Sequence, residues 1–329
     1  MSAVSFRKLF EQAAAQSRDA GGLARRSRAA YWGWLKAFAR FADKPAREWH
    51  RADVSAWMHR LDRERYSIPS RRQALCAVVW AFKRVLKLDL GALDLPTLPR
   101  EQQRIRIIPS REELARIFAG LRNPSRLMAG VMYGAGLRVS EACELRVKDI
   151  DFGALTIRVH GGKGDKDRLA QLPVRLVEPL QRWLPWRAAL HATDVEEGAG
   201  YAELPGRLAI KYPAAPRELG WQFIFPSVVR RGLYRWHRTP EAVQRDVKAA
   251  VRAAGIVKTV TPHTLRAAFA THALRMGNDL STVQELMGHD SPETTLIYVG
   301  ADGAKGASPL DVGAAELQPR RAVPLALGR

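Results

Sequence analysis

A break in helical periodicity close to residue 96 decides what this chain can fold into. Leu93, Asp94, Leu95, Pro96, Thr97, Leu98 and Pro99 set two prolines three residues apart, and a basic stretch follows as far as Pro109. Proline lacks a backbone donor and pushes the residue before it toward extended conformation, so neither a helix nor a central strand runs through this segment. Apolar residues recur at helical spacing on both sides of it. The break is therefore a linker between two folding units, and 329 residues suffice for two domains of ordinary size.

Before the break, residues 26–41, 51–63 and 70–88 read as three amphipathic helices. The run Trp32, Trp34, Lys36, Phe38, Arg40 and Phe41 is a stripe that belongs to the core of such a domain. After the break, Ser110 followed by Arg111, Glu112 and Glu113 is the capping box of a new helix. Leu155 to His160, a Gly-rich turn, and Arg168 to Pro173 alternate in polarity and read as a hairpin. Residues 191–236 are rich in Gly and Pro, fit no regular element, and read as an insertion. Helical periodicity returns at Thr261 and runs to Tyr298. The expected organisation is a helical domain at 1–92, a linker at 93–108, a second domain at 109–312 and a weakly specified tail at 313–329. The expected fold class is mainly α with a small β-hairpin or sheet.

Charge narrows the partner. Lys plus Arg number 53 against 33 Asp plus Glu, a formal charge of +20, which makes a polyanion the expected ligand. No apolar run reaches the roughly 18–20 residues of a membrane span, and the first residues lack the apolar core of a secretory signal. A cytoplasmic location and no membrane partner are expected. Cys76 and Cys143, the two cysteines, sit in apolar helical patterns without metal-like spacing and read as small core residues.

Four short segments carry chemistry. In Thr261, Pro262, His263, Thr264, Leu265, Arg266, a threonine N-cap and a proline at the first helical position put His263 and Arg266 on one face of a helix start. Free N–H groups and the positive dipole end there favour a phosphate. Gly134, Ala135, Gly136, Leu137, Arg138, Val139, Ser140, Glu141 places an arginine where a glycine-rich loop enters a helix, beside a carboxylate able to orient it. Gly161, Gly162, Lys163, Gly164 sets a lysine in the hairpin turn. In Gly288, His289, Asp290, Ser291, Pro292, the serine and proline read as an N-cap and first helical residue, which puts Tyr298 about two turns into the short helix that follows.

Taken singly, each segment is compatible with an ordinary cap, salt bridge or core aromatic. In this order they resemble the tyrosine recombinases, over most of the chain. Lys211 to Arg217 and Gly220, Trp221, Gln222, Phe223, Ile224, Phe225, Pro226 are most similar to the integron integrases. The resemblance implies a core-binding, SAM-like DNA-binding domain and a catalytic domain closing as a C-shaped clamp on DNA, with four protomers on two sites. It implies a site-specific recombinase that cuts and rejoins DNA through a 3′-phosphotyrosyl link to Tyr298. Arg138 and Arg266 would clamp the phosphate, His263 and His289 would assist proton transfer, and Lys163 would be the general acid. Neither cofactor nor metal is expected.

Within the insertion, Trp221 is a candidate for stacking on a bulged base of a folded single strand, or a core residue of its apolar run. His237, just after the insertion, is the second DNA-binding candidate. Ala267 and Ala268 depart from the His-Ser that commonly follows the second arginine in this family. A non-catalytic binding protein of the same fold and a type IB topoisomerase are the alternatives.

Overall fold

The computed structural model describes residues 3–16, 22–23, 25–97, 108–160, 167–206 and 208–288. Backbone contacts divide the chain into two compact units, Met1–Gln103 and Arg104–Arg329.

The first unit is helical: α1 (Ala3–Ala15), α2 (Arg25–Ala42), α3 (Arg51–Arg63) and α4 (Ile68–Ala81). Ser67 caps α4 by accepting from Ser70 N at 3.3 Å, and Pro69 sits in its first turn, where no N–H is needed. Ala74, Ala77 and Ala81 line the inner face of α4, and such small side chains let it pack closely against α2. Phe38 is fully buried between Trp49 and Trp57, with ring centroids 4.9 and 5.1 Å away, so the aromatic stripe is core. The third expected helix is α4 extended by a π-type turn over Phe82–Leu86, which ends on Lys87 in the left-handed region. Two expectations need correction. α1 is a helix that the periodicity did not announce, and Cys76 is exposed. Positions 74, 77, 78 and 81 form the buried face of α4, which turns position 76 outward.

The second unit begins with α5 (Arg111–Gly120). Ser110 Oγ accepts from Glu113 N at 3.2 Å and Ser110 N donates to Glu113 Oε2 at 2.7 Å, the reciprocal cap anticipated from the sequence. α6 (Ser125–Gly134) is the central helix, buried along nearly its whole length, and packs against α10 (Pro240–Ala253), α11 (Pro262–Arg275) and the long α8 (Val174–Glu196). The hairpin is part of a three-stranded antiparallel sheet, β1 (Ile150–Asp151), β2 (Thr156–Val159) and β3 (Arg168–Gln171), with Ile157 opposite Ala170 and Val159 opposite Arg168. α7 (Val139–Glu144) precedes this sheet, and α12 (Leu280–Met287) closes the described part of the unit.

The expected insertion begins later than the sequence suggests, because residues 191–196 are the last turns of α8. Between α8 and α10 the described residues form only a four-residue helix, α9 (Leu208–Lys211), short 3-10 turns and isolated bridges, yet the backbone is pinned at several points. Ile224 N donates to Leu145 O at 2.9 Å, Trp183 Nε1 to Ile224 O at 2.8 Å and Arg187 Nε to Phe223 O at 2.8 Å. Irregular backbone buried in this way satisfies its polar groups through arginine and indole donors instead of a ladder.

Candidate active site

Glu141 organises the site. It lies in the first turn of α7, where its Oε2 accepts from Arg138 N at 2.7 Å, and its side chain is 6% exposed. Three guanidinium groups converge on it. Arg138 Nη1 donates to Oε1 at 2.6 Å, and Arg168, at the start of β3, donates through Nη1 and Nη2 to Oε1 and Oε2 at 2.9 Å each. Arg266 Nη1, from α11, lies 3.6 Å from Oε2. Burial pushes the Glu141 carboxyl up, but hydrogen bonds and charge from Arg168 and the bonds from Arg138 outweigh it and bring the pKa down to about 2. Three cations around one anion leave an excess of two positive charges.

The local sequence explains this convergence. Gly136 adopts φ +68°, and a Cβ there would come within 2.7 Å of the Phe269 ring, so the turn after α6 can press against α11 only with glycine. Its carbonyl accepts from Arg266 Nη1 at 2.5 Å, while Arg266 Nη2 donates to Met287 O at 2.5 Å. Arg138 Nη2 donates to Gly288 O at 3.1 Å. Both sequence-predicted arginines therefore reach the same end of α12, across 150 residues of chain in one case. Arg266 is buried and Arg138 keeps 29% of its side chain exposed.

His263 stands exposed in the first turn of α11, which Thr261 caps by accepting from Thr264 N at 3.2 Å. Ala267 and Ala268, the departures from the family pattern, are packed in the core on the next turn. Lys163, His289 and Tyr298 lie outside the described residues. Arg168 was not singled out from the sequence. The available signal was that it shares a sheet face with buried Ala170, and an inward charge on an alternating strand demands a partner.

Trp221 and His237 line a different wall of this unit, around a cavity of about 640 Å³ that also touches Glu141, Lys148, His160 and Trp236. Trp221 is half-buried, with Lys148 Nζ 3.5 Å from its ring centroid. His237 is buried edge-on to Phe223, ring centroids 5.2 Å apart, and its Nδ1 donates to Arg238 O at 2.7 Å. Among the described residues no group of three or more His, Cys, Asp or Glu side chains is placed to hold a metal ion, and no helix is long and apolar enough to cross a membrane.

A buried carboxylate that gathers three arginines, one of them partly in solvent, is an arrangement able to hold an oxyanion. The family model "Phage integrase family" matches residues 110–304, and "Phage integrase, N-terminal SAM-like domain" matches residues 9–92. Proteins from Escherichia coli and Pseudomonas aeruginosa named integrase/recombinase are each 40% identical over 298 residues, covering 87% of this chain and 88% of theirs. Tyrosine recombinase XerA of Pyrococcus furiosus is 31% identical over 247 residues, 75% of this chain and 74% of its own.

Two solved structures share the fold. The Tn1549 transposon integrase in complex with transposon right end DNA has a TM-score of 0.61 at 18% identity, covering 90% of this chain and 95% of that one. XerH site-specific recombinase bound to difH substrate has a TM-score of 0.60 at 20% identity, covering 91% and 82%. The chain belongs to the phage integrase family, the tyrosine recombinases. Its enzyme class is that of tyrosine-type site-specific recombinases.

Proposed function

We propose that this chain cuts and rejoins DNA at defined sites through a 3′-phosphotyrosyl intermediate on Tyr298. The observation that carries this reading is the cluster around Glu141, which holds two family-pattern arginines, Arg138 and Arg266, close enough to serve one phosphate. Phosphoryl transfer requires an in-line nucleophile, neutralisation of the non-bridging oxygens and a proton for the departing oxygen. Tyr298 attacks the scissile phosphorus and the 5′ oxygen leaves. His263 takes the phenol proton, and Lys163 protonates the leaving oxygen. Arg138 and Arg266 donate forked N–H groups to the non-bridging oxygens, a geometry that lysine does not reproduce, and His289 adds a hydrogen bond there. The phosphotyrosyl link conserves the energy of the phosphodiester, so a second 5′ hydroxyl can reverse the step on another strand without a cofactor.

The finer reading is integron-type: a clamp of the two units on DNA, four protomers on paired sites, acting in the cytoplasm. The Lys211–Arg217 and Gly220–Pro226 segments support it, together with the aromatic wall of Trp221 and Trp236 on a cavity large enough for a nucleobase. The test is to incubate wild type and Tyr298→Phe with nicked sites, folded single-strand and duplex, and to resolve covalent protein–DNA adducts on denaturing gels. A wild-type adduct absent from the variant is expected, with folded single strand preferred. Preference for duplex would remove the integron-type reading. DNA bound without any adduct would leave a non-catalytic binder, and relaxation of supercoils without a site requirement would point to topoisomerase chemistry.

A further inference from the structure

We propose that Arg168 is a positioning residue of the strand-transfer site: by holding both oxygens of Glu141 it leaves Arg138 and Arg266 to the scissile phosphate. The proposal rests on the reading of Arg138 and Arg266 as the phosphate clamp, and it assigns a role to a residue outside the catalytic set.

The geometry divides the labour unequally. Arg168 meets Glu141 with its whole fork, two bonds of 2.9 Å, whereas Arg138 makes one side-chain bond of 2.6 Å and Arg266 stands 3.6 Å away. Arg168 is itself fixed, because its Nε donates to Leu286 O at 3.3 Å and its side chain is only 13% exposed. Gly288 makes room for it. A Cβ at Gly288 would lie 2.8 Å from Arg168 Cδ, while the Gly288 carbonyl receives Arg138 Nη2 at 3.1 Å. The glycine before His289 is thus required on both sides, by Arg168 and by its own left-handed φ of +60°.

Without Arg168, Glu141 Oε2 would keep only the Arg138 backbone N–H, so Arg266, now 3.6 Å away and held by Gly136 O and Met287 O, would be drawn onto the carboxylate and Arg138 would turn its remaining donor toward it. The excess positive charge of the cluster would fall from two to one, and the guanidinium planes would turn from the phosphate toward the carboxylate. Removing the carboxylate as well should relieve this, because replacing both partners of a buried polar pair leaves neither one uncompensated.

The rate of adduct formation on a nicked site, at saturating DNA, is the readout, with DNA affinity and melting temperature measured alongside. Arg168→Gln should slow cleavage by about 10–100-fold, the scale of a small misplacement at a reacting centre, while DNA affinity changes by less than about threefold. The double variant Arg168→Gln with Glu141→Gln should be faster than Arg168→Gln by roughly tenfold, since coupled sites are non-additive. Arg168→Lys, which keeps the charge and loses the fork, should fall between wild type and Arg168→Gln; if Arg168→Gln fails to fold, the double variant and Arg168→Lys carry the test. A double variant slower than Arg168→Gln, or rates that merely follow melting temperature, would overturn the proposal alone. A wild type that forms no adduct, or a Tyr298→Phe that still does, would remove the phosphotyrosyl reading and this proposal with it.

Discussion

Two carboxylates in the second unit, Glu141 and Asp194, each gather arginines, and the two clusters differ in charge balance and in access to solvent. Glu141 holds Arg138, Arg168 and Arg266, with Arg138 partly in solvent. Asp194, at the end of α8, takes Arg235 through two bonds of 2.5 and 2.7 Å, with Arg230 at 3.5 Å; Arg230 is as exposed as Arg138 but is paired to Glu197 at 2.6 Å. Its side chain is 2% exposed, and Arg235 directs its remaining Nη1 to Ser227 O and Val228 O. Nearby Arg187 is fully buried on Phe223 O. The second cluster uses guanidinium groups to hold irregular backbone together. The Glu141 cluster keeps an excess of positive charge with one arginine in solvent, whereas Glu197 balances the exposed arginine beside Asp194, and composition cannot distinguish the two cases.

Breaking each cluster should separate activity from stability. Arg138→Ala should lower the cleavage rate by about 10²–10³-fold, the scale of losing one donor to a developing oxyanion, with a small change in melting temperature because Arg168 still pairs both Glu141 oxygens. Arg235→Ala leaves a buried Asp194 with much of its compensation removed, a loss of about 3–5 kcal/mol and roughly 6–20 °C in melting temperature. Below its melting point this variant should cleave within a few-fold of wild type. Thermal melts beside single-turnover cleavage measure both effects. If Arg235→Ala loses cleavage as Arg138→Ala does, the distinction between the clusters collapses.

Acid sharpens the contrast within the unit. Burial lowers the His272 pKa to about 4 from its ordinary 6.5, with Arg111 and Arg275 adding to the effect, and the Tyr133 hydroxyl shares a hydrogen bond with Nδ1 at 3.0 Å. The unfolded chain accepts this proton first. The stability His272 contributes is full above about 6.5 and lost as pH falls toward 4. Glu141, brought down to about 2 from 4.5, contributes stability that is full above about 4.5 and lost as pH falls toward 2. At about 1.4 kcal/mol per pH unit of displacement, each is worth roughly 3 kcal/mol. Urea midpoints measured against pH should therefore fall in two windows, and His272→Gln should flatten the upper one alone. An unchanged slope between pH 6.5 and 4 in that variant would remove the assignment.

What could be read ahead of the structure was local. Ser110 and Thr261 caps depend on contacts three residues apart, and the hairpin depends on alternation, so all three were legible. The helix starts that carry Arg138, His263 and Arg266 were legible because their motifs include the caps and glycines that set them. Arg168 was missed because strand alternation shows only that it points inward with Ala170, while the carboxylate that pairs with it is 27 residues away. The insertion read as irregular because its order comes from side chains rather than a ladder: Arg146, Trp183 and Arg187 outside it, and Gln222 and Arg235 within it. Cys76 was misread because an apolar helical pattern states that a helix has a buried face without stating which residues form it.

The cysteines carry the contrast of sealed against open to its smallest scale. Cys143 follows Glu141 by two residues on α7 and is wholly buried, while Cys76 faces outward on α4. A thiol reagent applied to the native chain should label Cys76 and spare Cys143. Cys76→Ser should move stability by no more than about 0.5 kcal/mol, as expected for a surface change that breaks no buried contact. Cys143→Ser exchanges a wholly buried thiol for a more polar hydroxyl and should cost about 1–3 kcal/mol, the scale for burying a polar group. Equal labelling of both thiols in the folded protein would mean that α7 opens in solution, and the arginine cluster on its first turn would open with it.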